Sequence, residues 1–347
     1  MINQTRIIRN NFSHFSIAAR SGLQGASRPC FGSQGDRSLC ADRSGGLGGK
    51  LLTCLLSVML VLAGCATPPV SITPAEPPPV PAAPAIKPPP RIGLALGGGA
   101  ARGFAHVGVI QVLEEAGIRP SVVVGTSAGS VVAAIYASGR SGAQLQQVAE
   151  SMEEASLTDW TLPLFGRGLL RGDAIARYIN AQVGGRPIEA MEIPLGIVAT
   201  DLHSGEGILF RRGDTGTAVR ASSAVPSVFQ PVRIAGREYV DGGLVAPVPV
   251  RYARQMGADL VIAVDISSSP QYNAADGVLQ VMLQSFAIMG KSINALELRQ
   301  ADVVVQPVLQ GVGGTDFSAR KRSIEAGRAA MLAALPAYRT RLTGMMQ

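Results

Sequence analysis

Across residues 91–347, short apolar runs alternate with segments whose apolar positions recur every three or four residues. That alternation predicts strands and helices in turn. Ile92-Gly93-Leu94-Ala95-Leu96 reads as a strand, followed by a glycine-rich loop and a helix carrying Val107, Ile110, Val112 and Leu113 at helical spacing. The order repeats with Val122-Val123-Val124, a tight turn from Gly125 to Gly129, and a helix of small and apolar residues. Further helices are predicted over 142–156 and 173–183, with Arg171-Gly172-Asp173 as a helix entry that Asp173 caps. A buried strand over 193–202, a hairpin partner over 207–210 and a short helix over 215–222 come next. Tyr239 and Val240, good strand formers, lead into Asp241-Gly242-Gly243. A helix at 249–256, a strand at 260–265, a long helix over 276–300, a strand at 303–305 and a helix over 320–342 complete the pattern. Such alternation implies an α/β fold whose mostly parallel or mixed sheet is covered on both faces.

Before residue 91 the text is different. Residues 1–49, rich in Arg, Ser, Gly and Asn without a sustained apolar period, are expected to be disordered or an artefact of the start site. Lys50 then precedes an apolar run, Leu51 to Leu62, that is too short for a membrane span and reads as the core of a signal peptide over 50–65. Leu62-Ala63-Gly64-Cys65 resembles the bacterial lipobox, which implies lipidation of Cys65 and a mature chain beginning there. Ala66, where an aspartate would stand for inner-membrane retention, leans towards the outer membrane. Residues 66–90 hold eleven prolines in 25 positions. They are read as a semi-rigid polyproline spacer of up to ~75 Å, at ~3.1 Å per residue. A folded domain over 91–270 and a mainly helical extension over 271–347 packed upon it are expected to follow.

Composition narrows the chemistry. The formal charge of +7 is uneven: residues 1–64 hold seven Lys/Arg against two Asp/Glu, which leaves 24 against 22 in the rest. A nearly neutral body gives no reason to invoke nucleic acid. All four cysteines, Cys30, Cys40, Cys54 and Cys65, precede residue 66, so the body has no cysteine-based metal site or disulfide framework. With three histidines in the chain, a histidine-rich metal site is disfavoured as well.

Gly125-Thr126-Ser127-Ala128-Gly129 between a strand and a helix is the pattern of a nucleophile elbow, in which a strained turn projects the serine hydroxyl. A lone Gly-x-Ser-x-Gly is weak evidence; the flanking elements give it weight. Gly97-Gly98-Gly99-Ala100-Ala101-Arg102-Gly103 fails as a dinucleotide fingerprint, because Arg102 replaces the third glycine. It fails as a phosphate loop too, because Phe104-Ala105 replaces Lys-Ser/Thr. What remains is a set of bare N–H groups at a helix start, suited to an anion that includes the oxyanion of a reacting carbonyl. The ordinary Ser-acid-His triad is disfavoured, since His203 is the one histidine after Ser127 and no acid before it makes a convincing pair with it. His106 and His203 are read first as a packed and a turn histidine. Asp241, at a strand end before two glycines, is either a plain turn former or a carboxylate able to reach another strand's turn.

These pieces in order, Gly97 to Gly99 with Arg102-Gly103, Gly125 to Gly129 around Ser127, and Asp241-Gly242-Gly243, resemble the three blocks of the patatin-like phospholipases. Ala199-Thr200-Asp201-Leu202 and Ala221 to Pro226 ahead of Phe229-Gln230-Pro231-Val232 match further, so the likeness spans about residues 91–265. Ser227 departs from it, standing where the family often has glycine. The resemblance implies a three-layer α/β/α fold and a Ser-Asp dyad acting on acyl esters of lipids. Ser127 would be the nucleophile and Asp241 the base. Gly97, Gly98 and Gly99, with Ala128, would give the oxyanion hole, supported by Arg102, Gly103, Gly125, Gly129, Gly242 and Gly243. No metal or organic cofactor is expected, the partners being an acyl-ester substrate and a membrane reached through Cys65. The alternatives are an esterase or thioesterase on smaller acyl groups, and a non-catalytic envelope lipoprotein.

Overall fold

Alternating strands and helices build one central sheet whose strands lie in the order Val303–Val305, Leu260–Val264, Ile92–Leu96, Val122–Thr126, Leu195–Asp201, Arg237–Asp241 and Val232–Ile234, with Gly207–Phe210 paired to Leu195–Asp201 at the side. The computed structural model describes residues 88–159, 167–269 and 276–347, all within a unit spanning Pro81–Gln347. The expectations for residues 1–49, for the leader over 50–65 with Cys65, and for the proline tract up to residue 87 lie outside the described residues.

Strands β1 (Ile92–Leu96), β2 (Val122–Thr126), β4 (Leu195–Asp201), β9 (Leu260–Val264) and β10 (Val303–Val305) run parallel. β5 (Gly207–Phe210) and β8 (Arg237–Asp241) run antiparallel to β4, and β7 (Val232–Ile234) antiparallel to β8, so the sheet is mixed. A separate ribbon pairs β3 (Gly168–Leu170) with β6 (Ser227–Phe229).

β1, β2, β4 and β9 are buried on both faces, yet their period of two still sorts the core. Leu94, Leu96, Val123, Leu195, Ile197, Ile262 and Val264 face one helical layer. That layer contains α1 (Ala105–Glu115), α2 (Ala128–Ala137), α3 (Gly142–Ser151), α4 (Asp173–Gln182), α5 (Thr215–Ser222) and α8 (Arg320–Met346). Ala95, Val124, Val198, Val261 and Ala263 face the other way, against α6 (Val250–Gln255). The result is a three-layer α/β/α sandwich.

Within residues 271–347 the strand expected at 303–305 is β10, which continues the sheet beyond β9, and α8 packs along α1. One expectation changes. Asp173 does not cap α4. The cap position is Gly172, in the left-handed region, while Asp159 accepts from the Gly172 and Ala174 N–H groups; Asp173 pairs with Arg220.

The α1/α8 crossing is closer than side chains permit. A Cβ on Gly108 would lie 1.9 Å from the Ile324 carbonyl oxygen, and one on Gly327 would lie 1.9 Å from that of Ala105. Backbone meets backbone at both points, so neither neighbour can rotate away. Gly108→Val should therefore cost on the order of 3 kcal/mol or more, the upper end for an overpacked core. Urea unfolding would read this as a lowered midpoint; an unchanged midpoint would mean that the two helices separate freely.

Candidate active site

β2 ends at Thr126, and the chain turns sharply at Ser127 (φ 52°, ψ −124°) before α2 begins at Ala128. Left-handed backbone at a residue with a side chain costs on the order of 1–3 kcal/mol, so the surroundings must hold it. They do so from several directions. The Ser127 N–H donates to Ser222 Oγ at 2.8 Å, and that hydroxyl donates to the Val198 carbonyl on β4 at 2.5 Å. The Ser127 carbonyl accepts from Ser130 N–H at 2.8 Å and from Ser130 Oγ at 2.6 Å. Thr126 Oγ1 donates to the Ala246 carbonyl at 2.9 Å. Gly125 and Gly129 make the turn sterically possible: a Cβ on Gly129 would sit 2.1 Å from the Leu96 carbonyl oxygen, and one on Gly125 would sit 2.5 Å from that of Gly129.

Sheet register brings Asp241 to the same level. Thr126 pairs with Val198 and Ala199 with Asp241, so the residue after Thr126 stands across β4 from the end of β8. Adjacent strands lie about 4.8 Å apart, which leaves a two-strand gap that a serine and an aspartate side chain close over Ala199. Asp241 is held at three points. Its N–H donates to the Ala224 carbonyl at 2.9 Å, its carbonyl accepts from Thr200 Oγ1 at 2.8 Å, and its Oδ1 accepts from Gly243 N–H at 2.6 Å. Oδ2 is buried and has no hydrogen-bond partner among the described residues. Burial pushes the Asp241 carboxyl up to about 6, against smaller downward pulls from the Ser127 hydroxyl and Gly243 N–H.

The glycine loop closes the site from β1, beside the switch point at which the sheet order turns from β2 on one side to β9 on the other. Here the expected donors need correction. Gly97 N–H is bonded to the Val264 carbonyl at 3.0 Å and Gly98 N–H to the Pro247 carbonyl at 2.9 Å, so both are committed to holding the loop. Gly99 N–H and Ala128 N–H have no acceptor among the described residues. Ala128 opens α2, whose peptide dipoles add positive potential beside the serine. Gly98 matters by its smallness: a Cβ there would come within 3.1 Å of Ser127 Cβ. Gly103 lies against Ala128 in the same way, at 3.0 Å between the would-be and the actual Cβ.

Arg102 points away from Ser127 and donates from Nε to the Ile266 carbonyl at 2.9 Å and from Nη1 to that of Val312 at 3.5 Å, a strut for the loop. Gly242 and Gly243 form the turn after Asp241; a Cβ on Gly242 would meet the Val198 carbonyl oxygen at 2.2 Å. His106 is wholly buried, and its Nε2–H donates to the Gly97 carbonyl at 2.8 Å. Desolvation takes it down to about 4, so it is a neutral brace for the loop. His203 is exposed, with Nε2 3.5 Å from Glu238, among the arginines 167 and 233 that pair with the same carboxylate. Ser222 had no assigned role in the sequence. Its bond to Ser127 spans 95 residues, so no local spacing could have indicated it.

A strained serine facing a buried carboxylate at the strand ends of a three-layer α/β sheet defines the class of protein. Residues 94–254 match the model of the family described as Patatin-like phospholipase. An uncharacterised NTE family protein of Mycobacterium bovis is 38% identical over 208 residues, which are 60% of this chain and 58% of that protein. Patatin-like phospholipase domain-containing protein 6 of Mus musculus is 34% identical over 188 residues, 52% of this chain and 14% of that protein. The chain thus spans less than two thirds of either relative. VipD from Legionella pneumophila shares the fold, with a TM-score of 0.51 at 16% identity over 72% of this chain and 67% of that one. Residues 94–254 are thus similar to the patatin-like phospholipase family.

Asp241 carries a stability signature. Its folded value of about 6 lies above the ordinary 3.8, so the folded chain holds this proton more tightly than the unfolded chain does. Between those two pH values the unfolded state ionises first and stability falls as pH rises; above about 6 the full cost, on the order of 3 kcal/mol, is present. Asp241→Asn, which keeps an acceptor for Gly243, should unfold at a higher temperature than the parent at pH 7.5 and lose that advantage near pH 4. Equal melting temperatures at pH 7.5 would show that the carboxylate is not strained by burial.

Proposed function

We propose that the chain is a serine acyl hydrolase of lipid esters, of phospholipase A or lysophospholipase type, working through Ser127 and Asp241. The observation that carries this reading is the Asp241 carboxylate, buried, raised in pKa and with Oδ2 unpartnered, coupled to the hydroxyl of a serine on a strained elbow. A base with its pKa near 6 is ionised at neutral pH and still avid for a proton. Similarity to a family whose model is described as Patatin-like phospholipase supports the substrate class.

In the first half-reaction Ser127 Oγ attacks the ester carbonyl carbon while its proton passes to Asp241 Oδ2. The carbonyl oxygen, now an oxyanion, lies against Gly99 and Ala128 N–H groups, and removing one such donor typically costs 10²–10³-fold in turnover. Collapse breaks the bond to the alcohol, which leaves with the proton from Asp241. Water then attacks the acyl-serine and gives its proton to Asp241; collapse frees the carboxylic acid and returns the proton to Ser127. Protein groups supply every proton step.

A fluorophosphonate probe should label the parent and not Ser127→Ala. Ester hydrolysis should fall roughly 10³-fold or more in Ser127→Ala and Asp241→Asn, while His203→Gln stays within a few-fold. In the parent, kcat/KM should rise with pH through about 6 and then level, because only ionised Asp241 accepts the proton. Full activity in Asp241→Asn would remove the dyad. Activity confined to short, soluble esters across a lipid panel would favour the esterase reading.

The accompanying location is a bacterial outer membrane, reached through acyl chains on Cys65 and the proline-rich spacer behind it. Support for it is the sequence Leu62-Ala63-Gly64-Cys65. In cells, palmitate label should enter the parent and not Cys65→Ser; an unlabelled parent that retains residues 1–64 would remove the anchor and leave the hydrolase reading untouched.

A further inference from the structure

Helix α7 (Val278–Glu297) does not have the surface of an ordinary outer helix. At about 1.5 Å per residue its 20 residues span about 30 Å, and among them only Asn294 and Glu297 are buried. These two anchor its C-terminal end: Asn294 Oδ1 accepts from Val248 N–H at 3.1 Å, and Glu297 pairs with Arg251 of α6. The rest lies along the active-site rim. Ser227 Oγ is 3.3 Å from Met282 Sδ, and Ser227 itself sits at φ 70°, a backbone that glycine adopts without strain. Gly290 lies against Pro247, whose carbonyl holds Gly98, and the helix packs on the Gly242–Leu244 turn that follows Asp241. One helix therefore touches three of the segments that frame Ser127 and Asp241.

A helix with one side on the body should be polar on the other. The outward side of α7 is instead apolar: Val278, Val281, Ile288, Met289 and Leu296 each expose half or more of their surface. At 100° per residue they fall within one stripe, interrupted only by Ser285, Ser292 and Ala295. Gln280, Gln284 and Lys291 border it on one flank, and Lys291 is the only ionisable side chain from Val278 to Leu296. A surface without carboxylates and with one cation suits a neutral to anionic headgroup layer. It suits a second copy of the helix poorly. At seam spacing, positions 278, 281, 285, 288, 292 and 295 present two serines and an alanine, which offer little apolar surface to interlock. Among the described residues no helix is long and apolar enough to cross a membrane, so contact of this stripe with lipid is along a surface.

We propose that the outer stripe of α7 is a lipid-docking face that seats the Ser127–Asp241 mouth on the bilayer surface from which it draws substrate. The choice of lipid as occupant rests on the hydrolase reading above. Docking lowers the distance an acyl ester must travel through water to reach the serine, and the contacts through Ser227 and Pro247 keep the docked helix in register with the mouth.

The test uses the full chain with Cys65→Ser, so that no acyl anchor masks the helix, and vesicles of phosphatidylethanolamine and phosphatidylglycerol. Val281→Asp with Ile288→Asp should lower hydrolysis of vesicle phospholipid roughly ten-fold or more, since each replaces an inserting apolar side chain with a carboxylate. Turnover of water-soluble p-nitrophenyl butyrate and the melting temperature should not change. Vesicle hydrolysis equal to that of the parent would overturn the proposal. Independently of catalysis, Ile288→Trp in a chain also carrying Ser127→Ala and Trp160→Phe should be quenched by lipids brominated along their acyl chains; no quenching would overturn it too. If the double-aspartate variant turns a dimer into a monomer in sedimentation velocity while the introduced tryptophan is shielded without vesicles, the stripe is a self-association face and the lipid proposal falls. Quenching in a parent background that hydrolyses no ester would sink the hydrolase reading and leave the docking face standing.

Discussion

The left-handed turn at Ser127 is the constraint to which the rest of the domain answers. A serine at φ 52° persists only because the elements around it leave no other path for the chain. The backbone of α2 presses against β1 where Gly129 meets the Leu96 carbonyl, and β4 reaches the serine through the Ser222 hydroxyl. Both contacts require residues of one size only: no side chain at 129 and a short hydroxyl at 222. The elbow is therefore a property of the sheet and its helices together, and the five-residue motif supplies only the part of it that is local.

Asp241 owes its chemistry to a similar arrangement. Antiparallel β8 delivers the carboxylate to a level that parallel β2 and β4 have already set, and the Gly242–Leu244 turn seals it from water. Burial raises its affinity for a proton while one oxygen stays without a partner. The tertiary environment thus makes it a stronger base than an aspartate in water. His106, the nearest histidine in sequence to the glycine loop, is spent on bracing that loop and is kept neutral by the same desolvation.

The region after residue 270 joins these two themes. β10 and α8 complete the sheet and cover α1, while α7 lies along the rim of the site with its apolar stripe outward. Stability and access are thus handled by consecutive segments of the same stretch. Core glycines at 108 and 327 fix the first, and the contacts of Met282 and Gly290 fix the second.

Much was decided by the residues alone. Short apolar runs and helical spacings set the order of elements, because strands buried on both faces of a central sheet are apolar throughout, and Ser127 and Asp241 stood out as candidates because their glycine neighbours are chemically unusual. Where a feature depends on groups far apart in the chain, the sequence carried no sign of it. Ser222 is bonded across 95 residues, and Gly97 and Gly98, expected as oxyanion donors, have their N–H groups taken by carbonyls of residues 264 and 247. Which N–H is free is settled by strand order, since β9 and the turn before α6 arrive beside β1 only in the folded sheet. The outward apolar stripe of α7 is the same kind of case: its composition was readable, but a hydrophobic helix looks alike in sequence whether a core covers it or not. Only packing reveals which side was left over.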